Sequence, residues 1–400
     1  MESNAAQENI ITYVKEYGTY TFRQRPFCPV DSLVLSELSY LKYDHCASSI
    51  EEVQNHITLG EIAGLEEQAL QQLFQGIMDK KANAELLRLA GSSTRFGGTE
   101  VSYYENLVEP EQETQFSAMV FILKGWMPFV AFRGTDETLA GWREDFNMAY
   151  MSPVPAQERA RSYLQKVAPI LMRESVFLMG GHSKGGNLAV YAATHADTKV
   201  QRAIEQIYNL DGPGFGRDMG KEGRYRYVSG KIRKMIPQSS IIGMMLENQV
   251  DYQVIRSSQE GILQHDPFSW VVEKGSFLYL EKLDTKAQIM GKTLYEWIMD
   301  MTVEERKRLI DLLFQVLSNE QITPLSIFSQ DWKESVRQIL DTMKELDEDT
   351  RSFVWEILLQ LVRTGTKTAV NLTVEKTKET EPKRESKKDN RKELTSQVEL

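Results

Sequence analysis

Apolar residues recur over the first ninety positions at three- and four-residue spacing, the period of helices with one face turned to a core. Positions 30–41 and 66–74 keep that spacing, and 80–89 keep it more loosely. From about Ser92 the period shortens. Positions 101–107, 116–123 and 129–132 read as strands, the last two forming a hairpin about Gly125-Trp126. A helix over about 156–172 precedes a strand at 176–179, and a second helix runs from Lys184 towards His195. Further strands are expected at 205–210, 232–236 and 252–255. Strands alternating with helices over about 92–275 predict an α/β fold: a mainly parallel sheet covered on both faces, with ligands at the carboxyl ends of its strands.

After Leu283 the helical period returns. Thr302 and Glu305 make a capping box, and Leu309, Leu312, Leu313 and Val316 follow on one face. Asp331 is a candidate cap for a second helix. Phe353, Val354, Ile357, Leu358 and Leu361 form the stripe of a third, read as packing onto the preceding domain rather than as a membrane-surface face. Beyond Thr366, alternating Lys and Glu with almost no apolar residue cannot build a core, so a disordered tail is expected. The expected organisation is therefore a helical part over 1–91, a sheet-bearing core over 92–283, a helical region over 284–365 and a charged tail over 366–400.

Composition narrows the function. A formal net charge of −10 argues against a nucleic-acid surface. Cys28 and Cys46 are the only cysteines in 400 residues, too few for a disulfide framework, and they read as buried thiols in a reducing compartment. No basic segment leads into an apolar core near Met1, and no apolar run approaches the ~18 residues of a bilayer span. A cytoplasmic chain with no transmembrane segment is expected.

Chemistry concentrates at Gly181-His-Ser-Lys-Gly185, where a short apolar strand turns directly into a helix. A bare G-x-S-x-G arises by chance about once in ten chains of this length, but its position between strand and helix matches a nucleophile elbow. Ser183 is the candidate nucleophile. It needs a base, and the chain has five histidines. His45 and His56 precede the sheet, His182 sits inside the turn with its side chain expected to point away, and His195 lies roughly 18 Å along the helix. His265, in the loop Gly261-Ile-Leu-Gln-His-Asp-Pro267, remains as the candidate base. Asp211, where a strand ends in Gly-Pro-Gly, is the first candidate to orient it. Asp251 suits only if its strand runs the other way, and Asp266 is too near His265 to hold its ring. Asp211 also reads as a simple turn former. For the oxyanion the candidates are the N–H of Lys184 and the N–H, with the hydroxyl, of Thr135 in Arg133-Gly-Thr-Asp136. No two histidines stand at metal-ligand spacing, and neither a metal nor a cofactor is expected.

Taken together, Phe132-Arg-Gly-Thr-Asp136, Trp142, Asp145 and Gly181-His-Ser-Lys-Gly185 resemble the class 3 (fungal-type) lipases. In those proteins a strand ending in Arg-Gly-Thr/Ser supplies the oxyanion hole and G-H-S-x-G the nucleophile. Segments 132–150, 180–193, 208–215 and 264–270 are more closely similar to a bacterial family of lipase-like α/β-hydrolase proteins of unknown function, over most of 10–275. The resemblance implies an α/β-hydrolase fold and an esterase activity. It also carries a departure: the segment matching the lipase acid, 234–242, holds Ser239 and Ser240. Either Asp211 replaces that acid or the set is incomplete. Two functions follow. One is a serine hydrolase of carboxylic esters or thioesters, acting through an acyl-enzyme on a small or lipid-like substrate. The other is a non-catalytic binding or scaffold protein on the same fold. Apolar walls for such a substrate are expected from 241–246 and from the C-terminal helices. Oligomeric state is not legible in the sequence.

Overall fold

A computed structural model of the protein describes residues 8–319, apart from 51, 53–55, 110, 112, 137–138, 174–175, 216–218 and 247–250, together with scattered positions between 348 and 368. Helices α1 (Ile10–Tyr17), α2 (Pro29–Leu38), α3 (Leu59–Ala63), α4 (Glu67–Leu73) and α5 (Lys80–Ser92) lead the chain, with a short β1 (Ile57–Thr58) among them. Strands β2 (Glu100–Glu109), β3 (Thr114–Ile122) and β4 (Phe129–Phe132) follow as antiparallel neighbours, with a bulge in β2. Then come α6 (Leu139–Asn147), α7 (Pro155–Leu171), β5 (Phe177–His182), α8 (Lys184–His195), α9 (Thr198–Ala203), β6 (Ile204–Leu210), β7 (Ile232–Pro237) and β8 (Tyr252–Ile255). The chain continues through β9 (Val272–Glu273), β10 (Ser276–Phe277), β11 (Tyr279–Leu280), α10 (Thr285–Asp300) and α11 (Val303–Asn319).

Nine strands form one sheet in the order β1-β2-β3-β4-β5-β6-β7-β8-β11. From β4 to β8 neighbours run parallel, and the edges are antiparallel. This is an α/β-hydrolase fold with added helices at both ends of the chain. The central strands are buried on both faces, which is why they read as continuous apolar runs rather than alternating ones. Side chains still alternate. Phe129 and Ala131 of β4 pack with Val34 and Leu38 under the N-terminal helices, while Val130 and Phe132 pack with Leu164 and Leu188 of α7 and α8. Burying each such Phe stabilises the fold by about 1.5–3 kcal/mol.

The helices α1, α2 and α5 thus cover one face of the sheet. They are tied together by a buried ion pair, Arg95 Nη2 to Asp31 Oδ2 at 2.6 Å, whose acid also accepts the Tyr13 hydroxyl at 2.9 Å. Helix α6, which the sequence period did not reveal, follows the β4 loop. At the far end, α11 buries Ile310 and Phe314 against Trp142, Phe146, Ala149 and Tyr150. Of the expected stripe, Leu309 and Leu312 are half-buried beside them, while the side chains of Leu313 and Val316 lie outside those described. Thr302 and Glu305 do cap α11 reciprocally, at 2.7 and 3.2 Å. Arg308 lies 4.4 Å from the ring centroid of Phe353. Ile357, Leu358, Leu361, the Asp331 cap and nearly all of the charged tail lie outside the described residues.

Candidate functional site

The turn between β5 and α8 contains a single residue. Ser183 takes φ 58° and ψ −133°, a region in which a side-chain-bearing residue costs on the order of 1–3 kcal/mol. Its backbone is held on both sides: Ser183 N–H donates to the Leu210 carbonyl and Gly186 N–H to the Ser183 carbonyl, each at 2.9 Å. The flanking glycines are demanded by packing. A Cβ on Gly181 would stand 2.5 Å from the Gly185 carbonyl carbon, and one on Gly185 would strike the Phe132 carbonyl oxygen. Gly134 is equally constrained, since its Cβ would meet the His182 carbonyl oxygen at 2.7 Å and Ser183 Cβ at 3.1 Å. The Arg-Gly-Thr loop therefore lies directly against the elbow.

Thr135 is buried and its hydroxyl donates to Asp145 Oδ2 at 2.5 Å. That corrects the expectation of a side-chain donor for the oxyanion, because the hydroxyl is already committed. Its backbone N–H and that of Lys184 have no hydrogen-bond partner among the described residues. The Lys184 side chain does something the sequence did not announce. Buried at 1% exposure, its ammonium reaches Glu144 Oε2 at 3.0 Å and the Gln115 carbonyl at 3.1 Å. Burial would lower this amine, yet Glu144 and Asp145 outweigh it and hold it above its ordinary range. Asp145 is pushed up to about 6, by desolvation first, with Lys184 opposing.

His265 and Asp211 meet. The imidazole Nδ1 and Asp211 Oδ2 are 2.7 Å apart, and Asp211 is 1% exposed. The other oxygen, Oδ1, accepts the Ser240 hydroxyl at 2.5 Å, while Ser240 Oγ accepts Gly243 N–H at 2.9 Å. So Ser240, in the segment where the lipase resemblance expects an acid, bonds the Asp211 carboxylate on the oxygen away from His265. Asp251 is exposed and begins β8, which runs parallel to β7, so it occupies the opposite edge of the sheet from the strand ends that carry the site. Asp266 caps its own turn at Phe268 N–H, 3.0 Å away, as expected of a neighbour that cannot hold the His265 ring.

The turn geometry expects the His182 side chain to point away from that of Ser183. It packs on His265, with ring centroids 4.5 Å apart. Its Nε2 lies 2.9 Å from the His265 carbonyl, which can only accept, so Nε2 carries the proton; Nδ1 then accepts the Tyr40 hydroxyl at 3.1 Å. Burial first and the neighbouring His265 charge second keep this imidazole well below its ordinary pKa, and therefore neutral. The loop bearing His265 is further pinned by Trp270 Nε1–H to the Gln264 carbonyl at 2.9 Å. His195 stacks on Tyr191, and His56 pairs with Glu100; neither joins the site.

Ser183, His265, Thr135 and Lys184 line one cavity of about 460 Å³. No hydrogen bond joins the Ser183 hydroxyl to His265 among the described residues. The walls are mainly apolar: Trp142 and Phe146 from α6, and Ile242, Met245 and Leu246 from the segment expected to form them. The C-terminal helices supply no lining residue among those described. They act from behind, where Ile298 and Met299 of α10 pack against the cluster of Met148, Val154 and Leu246, and α11 braces α6 through Arg143–Asp311 at 2.5 Å. Glu37, Tyr40 and Asn83 of the N-terminal helices also enter the lining. The available signal was a buried-run glutamate at the end of α2, just before Leu38. Among the described residues no cluster of His, Cys, Asp and Glu has the makings of a metal site, and no helix is long and apolar enough to cross a membrane.

A family model described as Mbeg1-like matches residues 90–315, more than half of the 400-residue chain. Among curated proteins and among solved structures, none matches.

Proposed function

The chain belongs to the Mbeg1-like family, a lipase-like family, and from that premise we propose that it is a serine hydrolase cleaving carboxylic esters or thioesters through an acyl-enzyme. The observation that carries the reading is the 2.7 Å contact between His265 Nδ1 and buried Asp211, in the same cavity as a serine on a strained strand-to-helix turn. Asp211 fixes the tautomer in which Nδ1 is protonated and Nε2 is free to take a proton. Ser183 Oγ attacks the carbonyl carbon as His265 Nε2 accepts its proton. The carbonyl oxygen becomes an oxyanion, held by the N–H groups of Thr135 and Lys184 and by the positive end of α8. Collapse breaks the acyl–oxygen (or acyl–sulfur) bond, and His265 returns the proton to the departing atom. Water, activated by the same imidazole, then releases the acid and restores Ser183.

Lipid-like acyl groups fit the wall formed by Trp142, Phe146, Met245 and Leu246. The segments resembling class 3 lipases, Arg133-Gly-Thr135 and Gly181-His-Ser-Lys-Gly185, are those that pack against each other at Ser183. The reading is tested by hydrolysis of p-nitrophenyl octanoate by the full chain. Turnover that disappears in Ser183→Ala supports it. Equal rates for the two proteins refute it.

A further inference from the structure

Part of the cavity wall is polar and one-sided. Glu37 of α2, 6% exposed, accepts Asn83 Nδ2–H at Oε1, 3.0 Å away, and its other oxygen bonds nothing among the described residues. Asn83 of α5, 1% exposed, also donates from Nδ2 to the carbonyls of Met78 and Asp79 at 3.2 and 3.3 Å. Three acceptors around the nitrogen fix the orientation of the amide. Its Oδ1 is left buried without a partner. An unmet buried acceptor is costly unless a ligand satisfies it.

Asp79 and Asp266, both exposed, line the same cavity and press their charge on Glu37, whose carboxyl is pushed up to about 8, chiefly by desolvation. Each uses Oδ1 to cap a backbone N–H, Ala82 at 2.9 Å and Phe268 at 3.0 Å. Among the described residues Lys184 is the one Lys or Arg that lines the cavity, and its ammonium is committed to Glu144 and Gln115. Lys80 and Lys81, next along α5, are exposed and stand outside the lining. Asp79 and Asp266 therefore give this wall its negative charge, Asn83 Oδ1 gives it an unmet acceptor, and Glu37 gives a carboxyl that a bound cation would ionise; the group that satisfies all three is a cation bearing N–H donors.

We propose that Glu37, Asn83, Asp79 and Asp266 form a subsite for an alkylammonium group, carried on the alcohol portion of the ester. The placement on the alcohol side rests on the hydrolase reading. His265 hands its proton to the departing oxygen, and Asp266 is the next residue in the chain. In that reaction the Ser183 Oγ–acyl bond forms, the acyl–oxygen bond breaks, the His265 proton passes to the departing oxygen, and an amino alcohol leaves. Phosphate-bearing alcohols and thiols are disfavoured by the same carboxylates.

The test is equilibrium binding to the full chain, by calorimetry, of octylammonium, 1-octanol and octanoate. Octylammonium is expected to bind about tenfold or more tightly than 1-octanol, with octanoate the weakest. In the Asp79→Asn/Asp266→Asn double variant, whose amides can still cap Ala82 and Phe268, the advantage should shrink to about threefold or less; Glu37→Gln, compared at pH 9 where Glu37 is ionised, should reduce it independently. No advantage in the native chain overturns the proposal, as does an advantage that both variants retain. Fluorophosphonate labelling of Ser183 on the same sample separates the two claims. Ammonium selectivity without labelling keeps the subsite and removes the hydrolase reading. Labelling without selectivity does the reverse.

Discussion

His265 and Asp211 are 54 positions apart in the chain and 2.7 Å apart in space, and the Ser240 hydroxyl closes the far side of the same carboxylate at 2.5 Å. Asp211 is thereby held by two partners, one for each oxygen. The proposed mechanism asks this acid to orient the imidazole. Asp211→Asn should then lower kcat/KM on p-nitrophenyl octanoate by about 10³–10⁴, and Ser240→Ala by roughly tenfold through loosened positioning. Loss of activity in Ser240→Ala as deep as in Asp211→Asn would mean that the acid's second partner is as important as the acid.

His182 is the neighbour of Ser183 and the ring partner of His265, but it is not expected to titrate in the range of activity. Burial keeps it well below its ordinary pKa. In a ¹H–¹⁵N spectrum of the imidazoles between pH 5 and 8, the His182 signals should stay with a neutral Nε2–H form. An inflection assigned to His182 inside that window would contradict the tautomer derived from the Tyr40 and His265 contacts.

Lys184 and Glu144 are fully buried and 3.0 Å apart. Removing one charge strands the other, so Lys184→Met should cost about 3–5 kcal/mol. Lys184→Met with Glu144→Gln should recover part of that loss. The midpoints of urea unfolding measure both, and a single variant as stable as the native chain would show that the pair is not sealed from water.

Glu37 gives stability a pH dependence with a definite sign. Burial raises its folded pKa from 4.5 to about 8, so between those values the folded chain keeps a proton that the unfolded chain has released. Stability is then fully present below about pH 4.5 and is lost as pH rises through 8, by on the order of a few kcal/mol. Asp145, raised to about 6, adds to the same slope at its acidic end. Glu37→Gln should flatten the decline of Tm between pH 5 and 8. An unchanged slope would remove Glu37 as its source.

Much of this fold was legible because its central strands are unbroken apolar runs and its helices keep a three- and four-residue apolar period. The apolar run at 129–132 has the limits of β4, and the helix expected from Lys184 towards His195 is α8. Helix α6 escaped because its inward face mixes Trp142 and Phe146 with Glu144 and Asp145, carboxyls whose partners arrive from Lys184 and Thr135, 40 and 10 positions away. The same distance effect divides the site. Ser183 announces itself locally, since strand, turn and helix are contiguous. Elimination among five histidines points to His265, and chain order to Asp211 or Asp251; the parallel pairing of β7 and β8 sets Asp251 at the other edge of the sheet. His182 was dismissed on side-chain direction alone. Only the fold of the 261–270 loop brings a second imidazole against it.

The central claim is that a single hydroxyl on the strained turn at position 183 is an activated nucleophile. Intact mass of the full chain after treatment with a fluorophosphonate, followed by peptide mapping, measures this directly. One adduct is expected, located on Ser183 and absent from Ser183→Ala. An unmodified native chain, or an adduct that persists in Ser183→Ala, would contradict it.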